Sequence, residues 1–234
     1  HEESELILLS QSLKDCGRDM VLSLSPGPAL IEKAELYKQT SNMWRITDDF
    51  WDSWSQLYEM FDRARQWCIH TGHGCYPDAD MLPIGPIKQD YDPALRTEFT
   101  QDEQITMMSL WSIFRSPLII GGEMTGFDDF TMGLITNEEI LKMHRNARHS
   151  HPVWQKLIDG TEHILWTAVS SEGGQYAAIF NTDEKDSEIR IPLEDLEIYH
   201  PVRSTELWSG QTAEAVETIN VSLKKHGAAV FYLS

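Results

Sequence analysis

The sequence predicts a protein of two parts, an α/β part over residues 1–152 and an all-β part over residues 153–234. In the first part, short apolar runs alternate with longer segments of helical periodicity, which is typical of parallel strands joined by crossover helices. In the second part, short apolar runs are separated by turns rich in Gly, Asp and Asn, without a helical period. That pattern is typical of an antiparallel β-sandwich.

The α/β part opens and closes with predicted helices. Leucines at helical spacing predict a first helix that ends at Gly17, a usual C-terminal stop. Thr100 and Glu103 form a capping box, which predicts the start of a later helix. The predicted helices are 5–18, 34–40, 48–67, 100–116 and 136–147, and the predicted strands are 19–27, 41–47, a short one before the loop of 72–85, and 117–122.

The all-β part is predicted from six short apolar runs, each followed by a turn. Their length and spacing fit a small sandwich of antiparallel strands. The predicted strands are 163–170, 174–182, 187–193, 205–210, 217–223 and 228–234.

The α/β part has four parallel-type strands, which is half of the eight that a closed (β/α)₈ barrel requires. An open half barrel exposes unpaired strand edges and an apolar interior, so it is not expected to be stable alone. We therefore expect the remaining strands on another chain, or on a segment removed from this one. The start at His1, without methionine or a basic and apolar leader, fits a mature product or a piece of something longer.

The composition narrows the classes of partner. The chain carries 37 acidic and 19 basic residues, a formal net charge of −18, and no cluster of Lys and Arg for a nucleic-acid backbone. No apolar run approaches the ~20 residues of a membrane helix, so no membrane partner is expected. Cys16, Cys68 and Cys75 are an odd number without metal-like spacing, and we expect unpaired thiols.

Polar side chains follow the predicted parallel strands at their carboxyl ends. Ser25 follows the first strand, Arg45 and Asp49 the second, and Asp78 and Asp80 the third. The working groups of parallel α/β folds lie at these ends. Carboxylates and a guanidinium bind hydroxyl groups, and aromatic rings cover the C–H faces of a sugar. The pattern therefore favours a sugar pocket.

Each of these residues also has a purely structural interpretation. Aspartates before a helix can cap it and interact with its dipole. An arginine can form a surface ion pair, Pro and Asp are ordinary turn residues, and tryptophans often belong to the core. The residues open to both interpretations are Arg45, Asp48, Asp49, Asp52, Asp78, Asp80, Trp44, Trp51 and Trp54.

The order of five motifs along the chain resembles one enzyme family. "SLSPG", "NMWRITDDFWDSW", "YPDADMLPIG", "DEQITMMSLWSIFRSPLIIGG" and "LITNEEIL" follow one another as in the second half of the family-27 glycoside hydrolases, the α-galactosidases and α-N-acetylgalactosaminidases. The resemblance is dense over residues 1–150 and looser beyond. It implies the C-terminal half of a TIM (β/α)₈ barrel followed by a β-sandwich.

The resemblance implies a retaining hydrolysis that uses two carboxylic acids. The family's acid/base aspartate lies four residues after the arginine of its Trp-Arg motif, which corresponds to Asp49 after Arg45. Arg45, Asp80 and Trp44 are the implied sugar-binding residues. Ser25 stands where α-galactosidases carry a glutamate and the N-acetylgalactosaminidases carry a serine, so a terminal α-linked GalNAc is favoured over plain galactose. Pro28, three residues later, fits neither pattern.

The sequence departs from the family at the nucleophile. That residue lies in a Lys-x-Asp strand motif, and the only Lys-x-Asp here, Lys88-Gln89-Asp90, follows the loop of 72–85 and is misplaced. We therefore expect an inactive chain that needs an N-terminal half to supply the nucleophile. Three alternatives stay open: an α-galactosidase, a β-L-arabinopyranosidase, and a non-catalytic carbohydrate-binding remnant. No metal or organic cofactor is implied, and a secreted or periplasmic location is slightly favoured over a cytoplasmic one.

Overall fold

A computed structural model describes residues 3–87 and 95–234. Lys88, Gln89 and Asp90, the misplaced Lys-x-Asp motif, lie outside the described residues. The helices are α1 (Glu3–Asp15), α2 (Ala34–Thr40), α3 (Trp54–Trp67), α4 (Gln101–Phe114), α5 (Asp129–Thr136) and α6 (Glu138–Asn146). The strands of the first part are β1 (Ser23–Leu24), β2 (Met43–Arg45) and β3 (Tyr76–Asp78). Those of the second part are β4 (Ala147–Ile158), β5 (Thr161–Ser170), β6 (Gln175–Asn181), β7 (Ser187–Pro192), β8 (Val202–Glu206), β9 (Thr212–Val216), β10 (Thr218–Leu223) and β11 (Ala228–Leu233).

The first part contains a parallel sheet in the order β1-β2-β3. Ser23 pairs with Met43, and Met43 pairs with Tyr76, so the three strands start in register. The predicted strand over 117–122 is reduced to one parallel bridge between Leu82 and Ile120. Helices follow the strands as in one side of a (β/α)₈ barrel, and the fold is a partial TIM barrel with a C-terminal β-sandwich.

Most predicted helices are present, and two differences are informative. The capping box of Thr100 and Glu103 is confirmed at the start of α4, and α1 stops just before Gly17, whose φ is +72°. The predicted helix over 48–67 begins only at Trp54, so neither Asp48 nor Asp49 caps it. Helix α5 was not predicted, although Asp128 accepts from the Thr131 amide as an ordinary N-cap.

The second part consists of two sheets. Six strands form one sheet in the order β4-β5-β6-β11-β8-β9, and β10 pairs with β7 in a second, two-stranded sheet. All of these pairings are antiparallel, as predicted. Sequence patterning missed β4 and β9 and placed β8 three residues late. Strand β4 carries two register shifts and Pro152, which break the alternation that would mark it.

The central strands of the six-stranded sheet, β5, β6 and β11, are buried on both faces, and this position joins the two parts. Ile164, Trp166 and Phe180 belong to an apolar cluster shared with the helices of the half barrel. Their sequence neighbours Leu165 and Ile179 belong to a second cluster, on the side of β7 and β10. Because successive side chains of a strand point to opposite faces, β5 and β6 are apolar at consecutive positions.

Helix α4 lies between the parallel sheet and the six-stranded sheet. Eleven of its fourteen residues are buried, which explains why it lacks a polar face. Strand β4 runs from Ala147 to Ile158 without interruption and passes the predicted boundary between residues 152 and 153. That boundary stays a prediction.

The three cysteines are free thiols, as predicted, with Cys68 buried and Cys16 exposed. Within the described part of the chain, no helix has both the length and the apolar character needed to cross a bilayer. Over residues 3–87 and 95–234, no three His, Cys, Asp or Glu side chains are grouped so that they could hold a metal ion.

Candidate functional site

The carboxyl ends of β1, β2 and β3 bring the predicted polar residues to one edge of the parallel sheet. Arg45 is the last residue of β2 and pairs with Asp78, the last residue of β3. Ser25 follows β1 directly, and Asp80 lies two residues beyond β3. We call this edge, with Ser25, Arg45, Asp49, Asp78 and Asp80, the rim. The parallel register accounts for it, since three strands that start level also end level.

Arg45 is the centre of the rim and is itself buried. Its Nη2 donates to Asp49 Oδ1 at 2.8 Å, and its Nη1 lies 3.3 Å from Asp80 Oδ1. Its Nε donates to the carbonyl oxygen of Thr47 at 3.3 Å. One guanidinium thus holds two carboxylates in fixed relation, and each keeps a second oxygen for another partner.

Asp80 is fixed on several sides. Its Oδ2 accepts from the Phe50 amide at 2.8 Å, and its carbonyl oxygen accepts from Trp111 Nε1 at 3.0 Å. Its backbone φ of +74° lies in the left-handed region, which aspartate adopts more readily than most residues. Its side chain is 16% exposed, so the carboxylate lies in the wall of the rim and still reaches solvent.

Asp78 lies beneath Asp80 and is 3% exposed. Burial raises the pKa of its carboxyl to about 6, although the hydrogen bond from the Asp80 amide, 2.9 Å from Asp78 Oδ1, acts in the opposite direction. The charge of Asp80 raises this pKa further, and that of Arg45 lowers it. Because Asp78 has almost no accessible surface, its part in the site is to hold the turn that carries Asp80.

Asp49 is the exposed member of the rim, and its side chain is 84% accessible. It lies in the segment between β2 and α3, which is fixed on both sides of it. Before it, the Ile46 amide donates to the carbonyl oxygen of Asp78 at 2.9 Å. After it, Phe50 is buried with its ring centroid 5.0 Å from that of Trp111. Asp49 therefore presents its carboxylate to solvent from a backbone segment that is held on both sides, and the carboxylate contacts Arg45.

The remaining aspartates of the motif do not join the rim contacts. Asp52 is buried and accepts from the Glu98 amide at 2.7 Å. It ties the segment before α3 to the segment before α4. Asp48 is exposed. The helix-capping interpretation fails for these residues because α3 begins at Trp54, and no side chain caps it.

The segment after β1 lies directly on the segment after β2. The Ala29 amide donates to the carbonyl oxygen of Arg45 at 2.8 Å. A Cβ on Gly27 would lie 2.2 Å from the carbonyl oxygen of Thr47, so only glycine fits. This contact places the exposed Ser25 on the same edge as Arg45.

The tryptophans of the motif do not line the rim as a group. Trp44, predicted to bind substrate, is completely buried between Tyr37 and Trp67, with ring centroids 5.9 Å and 6.0 Å away. Trp44 points to the face opposite Arg45, because neighbouring side chains of a strand alternate, and its part in substrate binding stays a prediction. Trp54 stacks on His226, 3.5 Å between ring centroids, at the contact with the β-sandwich.

One sizeable groove lies beside the rim and is lined by none of its residues. A groove of about 580 Å³ runs between the segment after β1, helix α3 and the sandwich residues Gln155 and Ile164. The rim presents the Asp49 carboxylate to solvent, and the less exposed Asp80 and the buried Arg45 lie behind it.

Comparison with known proteins follows this division of the chain. Residues 2–146 match the family model described as alpha galactosidase A, and residues 160–233 match that of the alpha galactosidase C-terminal beta sandwich domain.

Two solved structures and one curated protein are similar to the chain. A GH27 β-L-arabinopyranosidase from Geobacillus stearothermophilus is 41% identical, with a TM-score of 0.92, over 99% of this chain and 54% of that one. A protein from Bacillus halodurans C-125, provisionally described as an α-N-acetylgalactosaminidase, is 36% identical, with a TM-score of 0.79, over 98% and 53%. An α-galactosidase from Oryza sativa subsp. japonica is 21% identical over 97% and 52%. The chain thus spans about half the length of these relatives.

Proposed function

The chain belongs to the melibiase-like α-galactosidases of glycoside hydrolase family 27, and on this premise we propose that it forms the acid/base side of a retaining exo-glycosidase for galactose-type sugars. The observation that carries the proposal is the pairing of Asp49 and Asp80 with one buried arginine, at 2.8 Å and 3.3 Å. Asp49 is the exposed carboxylate and the proton donor. Asp80, Arg45 and Ser25 bind the sugar hydroxyls.

In the proposed reaction, Asp49 protonates the glycosidic oxygen as the bond to the anomeric carbon breaks. A second carboxylate attacks that carbon from the opposite face, and the two carboxyl groups of a retaining enzyme are ~5–5.5 Å apart. Asp49 then removes a proton from the water that releases the sugar. The second carboxylate belongs to the half of the barrel that these 234 residues do not include. We propose that the chain is inactive without it.

The position of Ser25 bears on which sugar is bound. It is exposed at the end of β1, and a serine in place of a glutamate leaves room for the acetamido group of a terminal α-linked GalNAc. A second candidate is a β-L-arabinopyranoside, favoured by the 41% identity to a β-L-arabinopyranosidase. That sugar has the ring configuration of α-galactose without the exocyclic carbon. Both candidates use the same Asp49 and differ in the contacts around Ser25 and around the exocyclic carbon of the sugar.

The experiment compares Asp49→Asn with Asp48→Asn, two neighbouring exposed aspartates that carry the same charge. Each variant is assayed in the protein in its natural form, on the methyl glycosides of α-GalNAc, α-galactose and β-L-arabinopyranose, whose alkoxide leaving groups need protonation. We expect D49N to lower kcat/KM by ~10²–10⁴ on the preferred substrate, because general acid catalysis is lost. D48N is expected to keep the parental rate. Equal losses in the two variants would refute the assignment of Asp49.

The dependence on a second half is tested by mixing. The purified 234-residue chain is assayed alone and then with a polypeptide that carries a barrel strand ending in Lys-x-Asp. Activity only in the mixture supports the proposal. Full activity of the chain alone would show that its nucleophile is among these residues. Binding of the sugars without turnover in both samples would favour a carbohydrate-binding protein.

A further inference from the structure

A second cavity, of about 460 Å³, lies at the opposite end of the parallel sheet from the rim. Its wall comes from three segments: residues 68–73 before β3, Arg115 at the end of α4, and residues 147–151 at the start of β4. We call it the basic cavity. The side chains that matter to its chemistry are Thr71, Arg115, Arg148, His149, Ser150 and His151.

The basic cavity concentrates positive charge in a protein of net charge −18. Among the described residues that line it there is no Asp or Glu, and neither Arg115 nor Arg148 forms an ion pair with any described residue. Both arginines contact carbonyl oxygens instead, and Arg115 also lies over the ring of Tyr76, with its Cζ 5.5 Å from the ring centroid. Arg115 Nε donates to the carbonyl of His144 at 3.2 Å, and Arg148 Nη1 donates to those of Arg145 and Ala147, each at 2.8 Å.

The charge of Arg148 also acts on Arg115. Burial lowers the pKa of Arg115, and the positive charge of Arg148 lowers it further. Each guanidinium has five N–H donors, and the carbonyl contacts use only part of them. The cavity therefore holds two partly desolvated cations that lack an anion.

Two hydroxyl groups in the wall lack hydrogen-bond partners as well. Thr71 Oγ1 and Ser150 Oγ are buried, and no described residue bonds to either atom. Ser150 as a whole is only 8% exposed. An unpaired buried hydroxyl costs about 1–3 kcal/mol, so a water or a bound ligand is the expected partner.

The backbone at this point is irregular in a way that shapes the wall. Between Arg148 and His151 the pairing of β4 with β5 shifts register, and His149 has a φ of +54°. Such bulges redirect side chains and occur beside functional sites. Here the bulge brings Arg148, His149, Ser150 and His151 to one cavity, which an unbroken strand would divide between two faces of the sheet.

We propose that the basic cavity binds a phosphate group, either as the free ion or as the ester of a small metabolite. Arginine forks match the oxygens of phosphate, and paired guanidinium groups without carboxylates are a typical arrangement for it. The cavity falls within the ~300–1,000 Å³ of small-molecule sites and exceeds the need of a phosphate alone. This site is independent of the proposed glycosidase function, because it shares no residue with the rim.

Titration calorimetry on the protein in its natural form tests the proposal with inorganic phosphate, glycerol 3-phosphate and sodium chloride at matched ionic strength. We expect saturable binding of at least one phosphate compound and none of chloride. Tighter binding of glycerol 3-phosphate would identify an ester as the ligand, and equal binding would identify the free ion. If neither compound shows saturable binding up to about 10 mM, the Kd is weaker than that of ordinary ligands, and the proposal is overturned.

Variants separate the site from general charge effects. Arg148→Gln is expected to weaken phosphate binding about tenfold or more, the cost of one charge-assisted hydrogen bond. Arg190→Gln, which removes the same charge from the exposed side of β7, is expected to leave binding unchanged. Equal weakening by both would overturn the proposal.

Ser150→Ala is a second test of the site, which can be used if R148Q fails to fold. The change removes a buried hydroxyl without a partner, so the unliganded thermal midpoint is expected to stay level or to rise. Phosphate affinity is nevertheless expected to fall several-fold, because the ligand loses a donor. Unchanged affinity in S150A would remove Ser150 from the site, and unchanged affinity in both S150A and R148Q would overturn the proposal.

Discussion

Arg45 and Asp80 join the three segments of the rim at the level of single residues. Asp80 makes an ion pair with Arg45 and also accepts the Phe50 amide, while its left-handed backbone forms the turn after β3. A change at Asp80 therefore affects charge, hydrogen bonding and backbone conformation at once. These three effects can be separated by choosing the replacement.

We predict that Asp80→Ala is more destabilising than Asp80→Asn. Asparagine keeps an oxygen for the Phe50 amide and tolerates a positive φ, so only the ion pair is lost, at about 1–2 kcal/mol. Alanine leaves Arg45 and the Phe50 amide without this partner and strains the turn, at about 3–4 kcal/mol. Urea unfolding of both variants measures the difference. Equal losses would mean that the ion pair alone supports the turn.

Asp78 gives the molecule a pH dependence with a defined sign. Its folded pKa is about 6, above its ordinary 3.8, so folding favours the protonated form. Asp78 therefore stabilises the folded state below pH ~4, where its carboxyl is protonated. This stabilisation is lost as the pH rises through ~6, because the buried carboxyl must then ionise. With 1.36 kcal/mol per pKa unit, the loss is on the order of 2–3 kcal/mol at pH 7.

Asp78→Asn tests this directly, because asparagine keeps the acceptor for the Asp80 amide and removes the charge. We predict equal stability of variant and parent near pH 4 and a more stable variant at pH 7. Denaturant titrations at pH 4, 5, 6 and 7 measure the difference. If the difference in stability between variant and parent stays constant across this pH range, the raised pKa of the buried Asp78 carboxyl is contradicted.

The rim residues could be located from the sequence because parallel strands end together, but their environments could not. Arg45, Asp49 and Asp80 meet as the strand-end pattern predicts. The burial of Asp52 and Trp44 depends on contacts with Glu98 and Trp67, which are distant in sequence, and with Tyr37. The roles of the rim residues in catalysis and binding stay predictions.

At the scale of secondary-structure elements, the close contact between the segments after β1 and β2 is the most sensitive packing feature of the rim. We predict that Gly27→Ala is strongly destabilising, by about 3 kcal/mol or more, because its Cβ would overlap the backbone carbonyl of Thr47. The matched control is Gly133→Ala within α5. No atom lies within 4 Å of its added Cβ, and alanine favours a helix by about 0.5–1 kcal/mol.

Thermal unfolding measures the two glycine variants side by side. A G27A protein as stable as its parent would mean that the segments separate easily and that Ser25 is not held at the rim. A loss of stability in G133A would point instead to a general intolerance of added methyl groups.

Elements with a clear pattern of apolar residues in their own sequence were predicted well. Elements whose form depends on tertiary contacts were not. Strands β5 and β6 were found because burial on both faces gives continuous apolar runs. Strand β4 was missed because its bulge and Pro152 interrupt the pattern. The strand at 117–122 was predicted from its apolar residues, but among the residues that the structure describes it forms only one bridge, so its pairing depends on more than its own sequence.

At the scale of the whole molecule, the half barrel and the sandwich share one apolar cluster, and polar contacts add to it around His226. This residue is buried in the turn before β11, with Nδ1 at 2.7 Å from Glu103 Oε1 and Nε2 at 3.1 Å from Glu184 Oε1. Glu103 also closes the capping box of α4. One glutamate therefore couples the start of a barrel helix to the sandwich.

The last prediction concerns the stacking of Trp54 on His226, rings 3.5 Å apart and 9° from parallel, which connects α3 to the sandwich. We predict that Trp54→Ala and His226→Ala are each destabilising by about 2–4 kcal/mol, since one removes a large ring and the other isolates Glu103. The double variant should lose less than the sum, by about 1 kcal/mol, the energy of the stacked pair. Trp208→Phe combined with H226A is the control, because Trp208 bonds to Ser109 and not to His226. Additive losses in the Trp54 cycle would show that the stacked pair adds no coupling energy between α3 and the sandwich.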